Sequence, residues 1–308
     1  MKMNPPSRPS LFHSLAALAV AALLGAPSAS RADIIYVSNW NADNIEKFDS
    51  VTRSNLGVFA SVGGPRGVAL DSAGNLYVAV WTSQSIVKYT PGGVGSVFAT
   101  GLQGLESLAF DRAGNLYVGT LWNNSIMKFT PGGVGSVFAS SGINEPDGLA
   151  FDSAGNLYVA NGRGNTIEKF TPGGVGSVFA TGLNYPYGLA FDKAGNLFVS
   201  NYQGPYYGGP AIQKFTPAGV GSVFAAAGLA APAGIAFDSA GNLYVADQWS
   251  MPNNGSIVRF TPDGVGSDFA STFLSGPVSI AIQRIPEPSI LAPLVVGAIG
   301  LMIARRRK

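Results

Sequence analysis

Short apolar runs of four or five residues, each closed by a polar turn rich in Gly and Pro, recur along most of the chain. One unit reads Gly-Leu-Ala-Phe from Gly148, Asp-Ser-Ala-Gly-Asn, then Leu-Tyr-Val-Ala. A polar loop, Thr-Ile-Glu-Lys-Phe, Thr-Pro-Gly-Gly and Gly-Ser-Val-Phe-Ala follow. Apolar runs this short, bounded by turn signals, predict strands. In Asp-x-Ala-Gly-Asn the Asp side chain can hold backbone N–H groups while the Gly takes a positive φ. Thr-Pro-Gly-Gly does similar work further along. The first two strands, a and b, are almost continuously apolar, as expected of a sheet covered on both faces.

The unit repeats. The aspartates of the phrase are Asp71, Asp111, Asp152, Asp192 and Asp238, at spacings of 40, 41, 40 and 46 residues. Four strands (a to d) in roughly 40 residues are the signature of a propeller blade. Strand a is expected at 67–70, 107–110, 148–151, 188–191 and 234–237, with a sixth copy, Ser-Ile-Ala-Ile, at 279–282. The first unit begins at strand b, residues 34–38, and lacks its own strand a. The predicted fold is therefore all-β. It is a six-bladed β-propeller of four-stranded blades, in which strand 279–282 completes the first blade and closes the ring. Closure leaves only short outer edges.

The phrase Gly-(Leu/Ile)-Ala-Phe-Asp-x-x-Gly-Asn-Leu-Tyr-Val-Ala, with Ile-x-Lys-Phe after it, resembles the NHL repeat over nearly all of residues 33–283. The chain departs from that family where an Asn-His-Arg-Ile element would stand. It has Gly-Asn-Thr-Ile, Asn-Asn-Ser-Ile or Asn-Gly-Ser-Ile instead. The resemblance implies the fold and not any one member's function.

Composition removes whole classes of chemistry. The 308 residues include no Cys and one His, His13, in a segment that reads as a removable leader. The body then offers no disulfide, no thiolate, no Cys–zinc site, no His general base and no Ser-His-Asp triad. The formal charge of +2 misleads as well. Residues 33–285 hold 12 Lys/Arg against 16 Asp/Glu, a net of −4, which argues against nucleic acid as a partner.

Both ends read as addresses. Residues 1–32 show a basic start (Lys2, Arg8), an apolar run from Ser14 to Ala26 and then small residues, the order of a secretory signal peptide. Signal peptidase cleavage is expected after Ala32; a retained membrane anchor is the alternative. At the other end, residues 284–308 contain Pro286-Glu287-Pro288, an apolar run at 289–304 and Arg305-Arg306-Arg307-Lys308. The run is slightly shorter than the usual spanning helix. The basic end would face the cytoplasm, leaving 33–285 outside. This order resembles the PEP-CTERM sorting signal of Gram-negative bacteria. It implies an exosortase-like protease as partner, transient membrane attachment through the C-terminal helix, and delivery to the cell surface or extracellular matrix. A plain tail anchor is the alternative.

Function is sought where the copies differ. Loops b–c and d–a fall on one face of the ring. The b–c loops carry all four tryptophans, Trp40, Trp81, Trp122 and Trp249, together with Tyr202, Tyr206, Tyr207 and Arg163. The d–a loops place Arg66, Glu106, Asp147, Tyr187, Ala233 and Val278 just before successive inner strands, near the channel mouth. Large rigid rings beside a few charges suit a sugar or a peptide, and packing between blades is the competing role for the same rings. The chain therefore reads first as a non-catalytic binding or scaffold propeller for a polysaccharide or surface protein, without cofactor. A metal-dependent hydrolase is the rival, because gluconolactonase-like propellers hold a divalent metal in the channel through Glu, Asn and Asp. Glu106 and Asp147 would be its ligands here, but the other blades do not complete a set. Virginiamycin-lyase-like propellers rely on a His that the body lacks. A structural matrix protein is the third reading. The repeated Asp of Asp-x-Ala-Gly-Asn is read as a turn cap, with calcium as the alternative.

Overall fold

The computed structural model describes residues 32–203, 211–225, 228–249 and 254–285. All lie within one compact unit, Ala32–Ile285. The leader, Pro286, Glu287, Pro288, the apolar run 289–304, Arg305, Arg306 and Arg307 fall outside the described residues, as do Tyr206 and Tyr207.

Regular structure among the described residues is entirely strand. The chain begins with β1 (Ile34–Asn39), β2 (Asn44–Asp49) and β3 (Asn55–Ser61). Blade 2 is β4 (Pro65–Leu70), β5 (Leu76–Val80), β6 (Ser85–Tyr89) and β7 (Gly95–Thr100). Blade 3 is β8 (Leu105–Phe110), β9 (Leu116–Thr120), β10 (Ser125–Phe129) and β11 (Gly135–Ala139). Blade 4 is β12 (Pro146–Phe151), β13 (Leu157–Asn161), β14 (Thr166–Phe170) and β15 (Gly176–Ala180). Blade 5 is β16 (Pro186–Phe191), β17 (Leu197–Asn201), β18 (Ile212–Phe215) and β19 (Gly221–Ala225). Blade 6 is β20 (Pro232–Phe237), β21 (Leu243–Asp247), β22 (Ser256–Phe260) and β23 (Gly266–Ala270). The last strand, β24 (Pro277–Gln283), pairs antiparallel with β1, Ile35 opposite Ile282, and completes blade 1 in the order β24-β1-β2-β3.

The inner strands touch their neighbours all round, from β4 to β8, β12, β16, β20, β24 and back to β4. Asp33 reinforces the join. Its carboxylate accepts the backbone N–H of Ser239 at 2.7 Å and that of Ile285 at 3.2 Å. The core lies between blades. Tyr117 of blade 3, for example, meets Phe138 of its own outer strand and Phe151 of blade 4, each edge-to-face at 4.9 Å. The ring is thus held by apolar area and by favourable aromatic geometry.

The a–b turns form as the sequence predicts. Asp152 Oδ1 accepts the N–H groups of Ala154 and Asn156 at 2.9 and 2.8 Å, and Asn156 Nδ2 donates to Oδ2 at 2.7 Å. Each repeated Asp is engaged by its Asn in this way, which leaves little coordinating capacity for calcium.

The inner strands differ from expectation in one respect. They begin about two residues earlier than the apolar pattern indicates, and each carries a β-bulge near its start. In blade 2, Pro65 pairs with Val80 and Val68 with Val78, so Arg66 and Gly67 stand opposite Ala79 alone. In blade 4, Asp147 is the extra residue, and in blade 1 it is Val278. Bulges re-aim side chains. The varied residues therefore sit inside the strands, and not in the loops before them.

Candidate functional site

The bulge residues converge on the channel mouth because the backbones there almost touch. A Cβ on Gly67 would lie 2.5 Å from the Glu106 carbonyl oxygen, and one on Gly234 would lie 2.7 Å from that of Val278. The glycine after the bulge residue lets neighbouring inner strands meet backbone to backbone. Blade 3 has Ser107 at this place, and Gly119 on β9 makes room for it: a Cβ there would meet Ser107 Oγ at 2.7 Å.

The loops predicted to share a face do so, and they are tied together. The first residue of each b–c loop donates its backbone N–H to a d–a loop. Trp40 bonds Gly276, Trp81 bonds Gly64, Gly162 bonds Glu145 and Tyr202 bonds Tyr185.

Arg66, Glu106, Tyr187 and Asp147 come together at the mouth. Arg66 Nη1 lies 3.2 Å from Glu106 Oε1, and the Tyr187 hydroxyl donates to that same oxygen. Glu106 and Asp147 are only 3% and 4% exposed. Burial pushes both carboxyl groups above their usual range; Arg66 opposes the rise at Glu106, whereas Glu106 and Glu145 add to it at Asp147. Burial and the Glu106 charge likewise raise the Tyr187 phenol. Ala233 and Val278, the remaining bulge residues, are buried and apolar.

Aromatic rings line two sides of this cluster. Trp40, Trp81 and Trp122 form an edge-to-face row across blades 1 to 3, with centroids 6.1 and 5.5 Å apart. The Arg66 guanidinium lies 3.9 Å from the Trp40 ring centroid and 5.1 Å from that of Trp81. On the opposite arc Tyr187 stacks on Tyr202 at 5.7 Å, and Trp249 meets Tyr202 edge-on at 5.8 Å. Trp40, Trp81 and Tyr202 are half-buried, whereas Trp122 and Trp249 are 57% and 49% exposed. The rings therefore divide between packing and display.

Arg163 stands apart. Its side chain is 74% exposed and reaches Glu145 Oε1 at 3.3 Å rather than the channel. Glu145 and Tyr185 are site residues that the sequence reading misses. Tyr185 donates its hydroxyl to Glu145 Oε2 at 3.0 Å and packs on Tyr202 at 6.1 Å. Both are in the left-handed region, φ 52° and 53°, where Gly64, Gly104 and Gly276 stand in other blades. Comparing the residue before each inner strand across the repeats is the signal that finds them.

Among the described residues no three His, Cys, Asp or Glu side chains group to hold a metal. At the mouth the Arg66 guanidinium already holds the cationic position beside Glu106. Two carboxylates facing a fixed positive charge fit a divalent metal poorly.

These features define the class: a six-bladed β-propeller with an aromatic-rimmed, acidic channel mouth. Solved structures with a similar fold include a chain of a nidogen/laminin complex, at 20% identity over 82% of this chain and 98% of that one, TM-score 0.70. A streptogramin B lyase is similar at 17% identity over 83% and 88%, TM-score 0.62. A gluconolactonase from Xanthomonas campestris is similar at 18% identity over 68% and 77%, TM-score 0.60. No protein-family model and no curated protein matches the sequence. At these identities the likeness shows the fold alone.

Proposed function

We propose that the chain is an exported, surface- or matrix-directed binding propeller without catalytic activity, and that it holds a polysaccharide on its b–c/d–a face. The carrying observation is the aromatic rim: three tryptophans in one row and a Tyr–Trp cluster opposite, with Trp122 and Trp249 open to solvent. Rigid rings offer large contact area at little entropy cost and suit the apolar faces of sugars. Proteins of different function share this fold, so chemistry must be judged from the residues. Among the described residues there is no Cys or His to serve as nucleophile or base. The hydroxyl–carboxylate pairs at the mouth, Tyr187 with Glu106 and Tyr185 with Glu145, serve as recognition groups. Export rests on the leader ending at Ala32 and on the sorting-type tail, with signal peptidase and an exosortase-like protease as its processing partners.

A glycan array probed with the purified full-length chain tests this reading. Binding is expected to at least one polysaccharide class, and the double variant of the two exposed rings, Trp122→Ala, Trp249→Ala, should lose it at least tenfold while melting close to wild type. Unchanged binding in that variant would refute the aromatic face.

A further inference from the structure

Five buried side-chain polar atoms lack a hydrogen-bond partner among the described residues, and four are at the channel mouth: Arg66 Nε, Glu106 Oε2, Ser107 Oγ and Asp147 Oδ2. Such orphans are uncommon in native folds, and a cluster of them marks room for a polar guest. Glu106, Ser107, Asp147 and Tyr187 line a cavity of about 110 Å³ together with the inner-strand backbones. That volume accepts an ammonium group with roughly two waters, and not a sugar ring.

The charges define the guest further. Arg66 neutralises one of the two carboxylates, leaving a single negative charge in excess. Asp147 faces Glu106 from the neighbouring inner strand β8, Arg66 from β4 one blade further on, Glu145 on its own loop, and Tyr185, which with Asp147 Oδ2 crowds against Gly162. Among the described residues no cationic side chain forms an ion pair with it, and the Arg66 charge only partly offsets the burial and the neighbouring carboxylates. A carboxylate so enclosed holds a proton or takes a cationic partner. Above the cavity the exposed rim is ring surface, which favours a flat, rigid carrier for that cation over a flexible chain.

We propose that the channel mouth binds a glycan through a free primary amine, seating the ammonium group between Glu106 and Asp147 while the sugar that carries it rests on the aromatic rim. This rests on the polysaccharide-binding reading and narrows it to amino sugars that are not N-acetylated. Acetylation removes the charge that the two carboxylates would hold. Ammonium binding displaces the proton from Asp147, so complex formation releases protons at a pH where that carboxyl is protonated.

Isothermal titration of the full-length chain with a glucosamine hexamer and with its N-acetylated counterpart tests the proposal. The glucosamine hexamer is expected to bind at least tenfold more tightly, with a heat that changes with buffer ionisation enthalpy. Asp147→Asn, which keeps shape and removes charge, should abolish the preference. Trp122→Ala, at an exposed ring, should weaken both hexamers alike. Equal affinity for the two hexamers, or a preference that survives Asp147→Asn, overturns the amine site while leaving polysaccharide binding intact. Binding of octalysine or calcium that Asp147→Asn abolishes, with no binding of the glucosamine hexamer, also overturns it. A blank glycan array defeats the broader reading separately.

Discussion

Substituting Gly67 by Ala tests how the ring positions its channel. Gly67 follows Arg66 on β4, and its φ is not left-handed, so alanine meets no backbone penalty of its own. The obstacle is β8. A Cβ would lie 2.5 Å from Glu106 O, 2.8 Å from Ser107 Cα and 3.0 Å from Leu108 N. All three are backbone atoms of a strand paired to β9 and packed between neighbouring inner strands, so none can swing aside. Overpacking a rigid site costs about 3 kcal/mol at the upper end of the usual range. Restricting the unfolded chain returns roughly 0.4–1 kcal/mol, leaving about 2 kcal/mol. For a propeller of this size that lowers the melting temperature by about 4–8 °C. Gly92→Ala is the control, because only Thr90 Oγ1, at 3.9 Å, lies near its would-be Cβ and its φ is ordinary. Thermal melts followed by circular dichroism should show Gly67→Ala well below wild type and Gly92→Ala level with it or slightly above. A Gly67→Ala variant melting within about 1 °C of wild type would refute backbone contact as the principle of closure.

Asp147→Asn should stabilise the protein near neutral pH. Its raised folded-state pKa means the native state binds more protons than the unfolded chain above about pH 4, so wild-type stability declines as pH rises toward that raised value. The advantage of the variant should shrink toward acid pH in urea melts, and a pH-independent difference would contradict the sign. Asp152→Ala should cost about 1–2 kcal/mol by urea unfolding, since it strips the bonds to Ala154 and Asn156. Although burial opposes it, hydrogen bonds from Asn156 and Ala154 and the charge of Lys169 hold the Asp152 carboxyl below its usual pKa. Its contribution is therefore present above the ordinary value and lost as pH falls through the lowered one. Mass spectrometry of the surface-exposed protein should find no peptide containing Arg305 to Lys308; a mature form that retains them would contradict sorting by cleavage.

Repetition made the fold legible. Each copy of Asp-x-Ala-Gly-Asn fixes a turn through contacts within five residues, so a local phrase suffices to predict a local structure. The orphan strand at 279–282 likewise announced its pairing with β1, because a blade without strand a and a strand a without a blade complement each other. The bulges were not legible. They arise from contact between strands about 40 residues apart, as where Gly67 meets Glu106, and the apolar pattern of one strand does not record its neighbour's backbone. The sequence places Arg66 near the channel mouth but in a loop, and it foretells neither its place inside β4 nor its contact with Trp40 and its pairing with Glu106. The contact and the pairing depend on how adjacent blades abut.

The site lies where the repeat breaks its own symmetry, and the breaks carry a cost. The residue before the inner strand is left-handed in five blades and is glycine in three of them. Blades 4 and 5 use Glu145 and Tyr185 there instead, at a strain of roughly 1 kcal/mol each. Glycine was available to the chain at that position, as Gly64, Gly104 and Gly276 show, so the strain is not forced by the fold. What the two side chains do is specific: they bond each other at 3.0 Å, and Tyr185 carries the contact to Tyr202 and the rim. Glu145 also adds negative potential beside Asp147. Strain accepted on one arc of the mouth, orphaned polar atoms in the channel below it and rings displayed on both sides all lie on one face of an otherwise repetitive ring. The proposed binding role rests on these three features together.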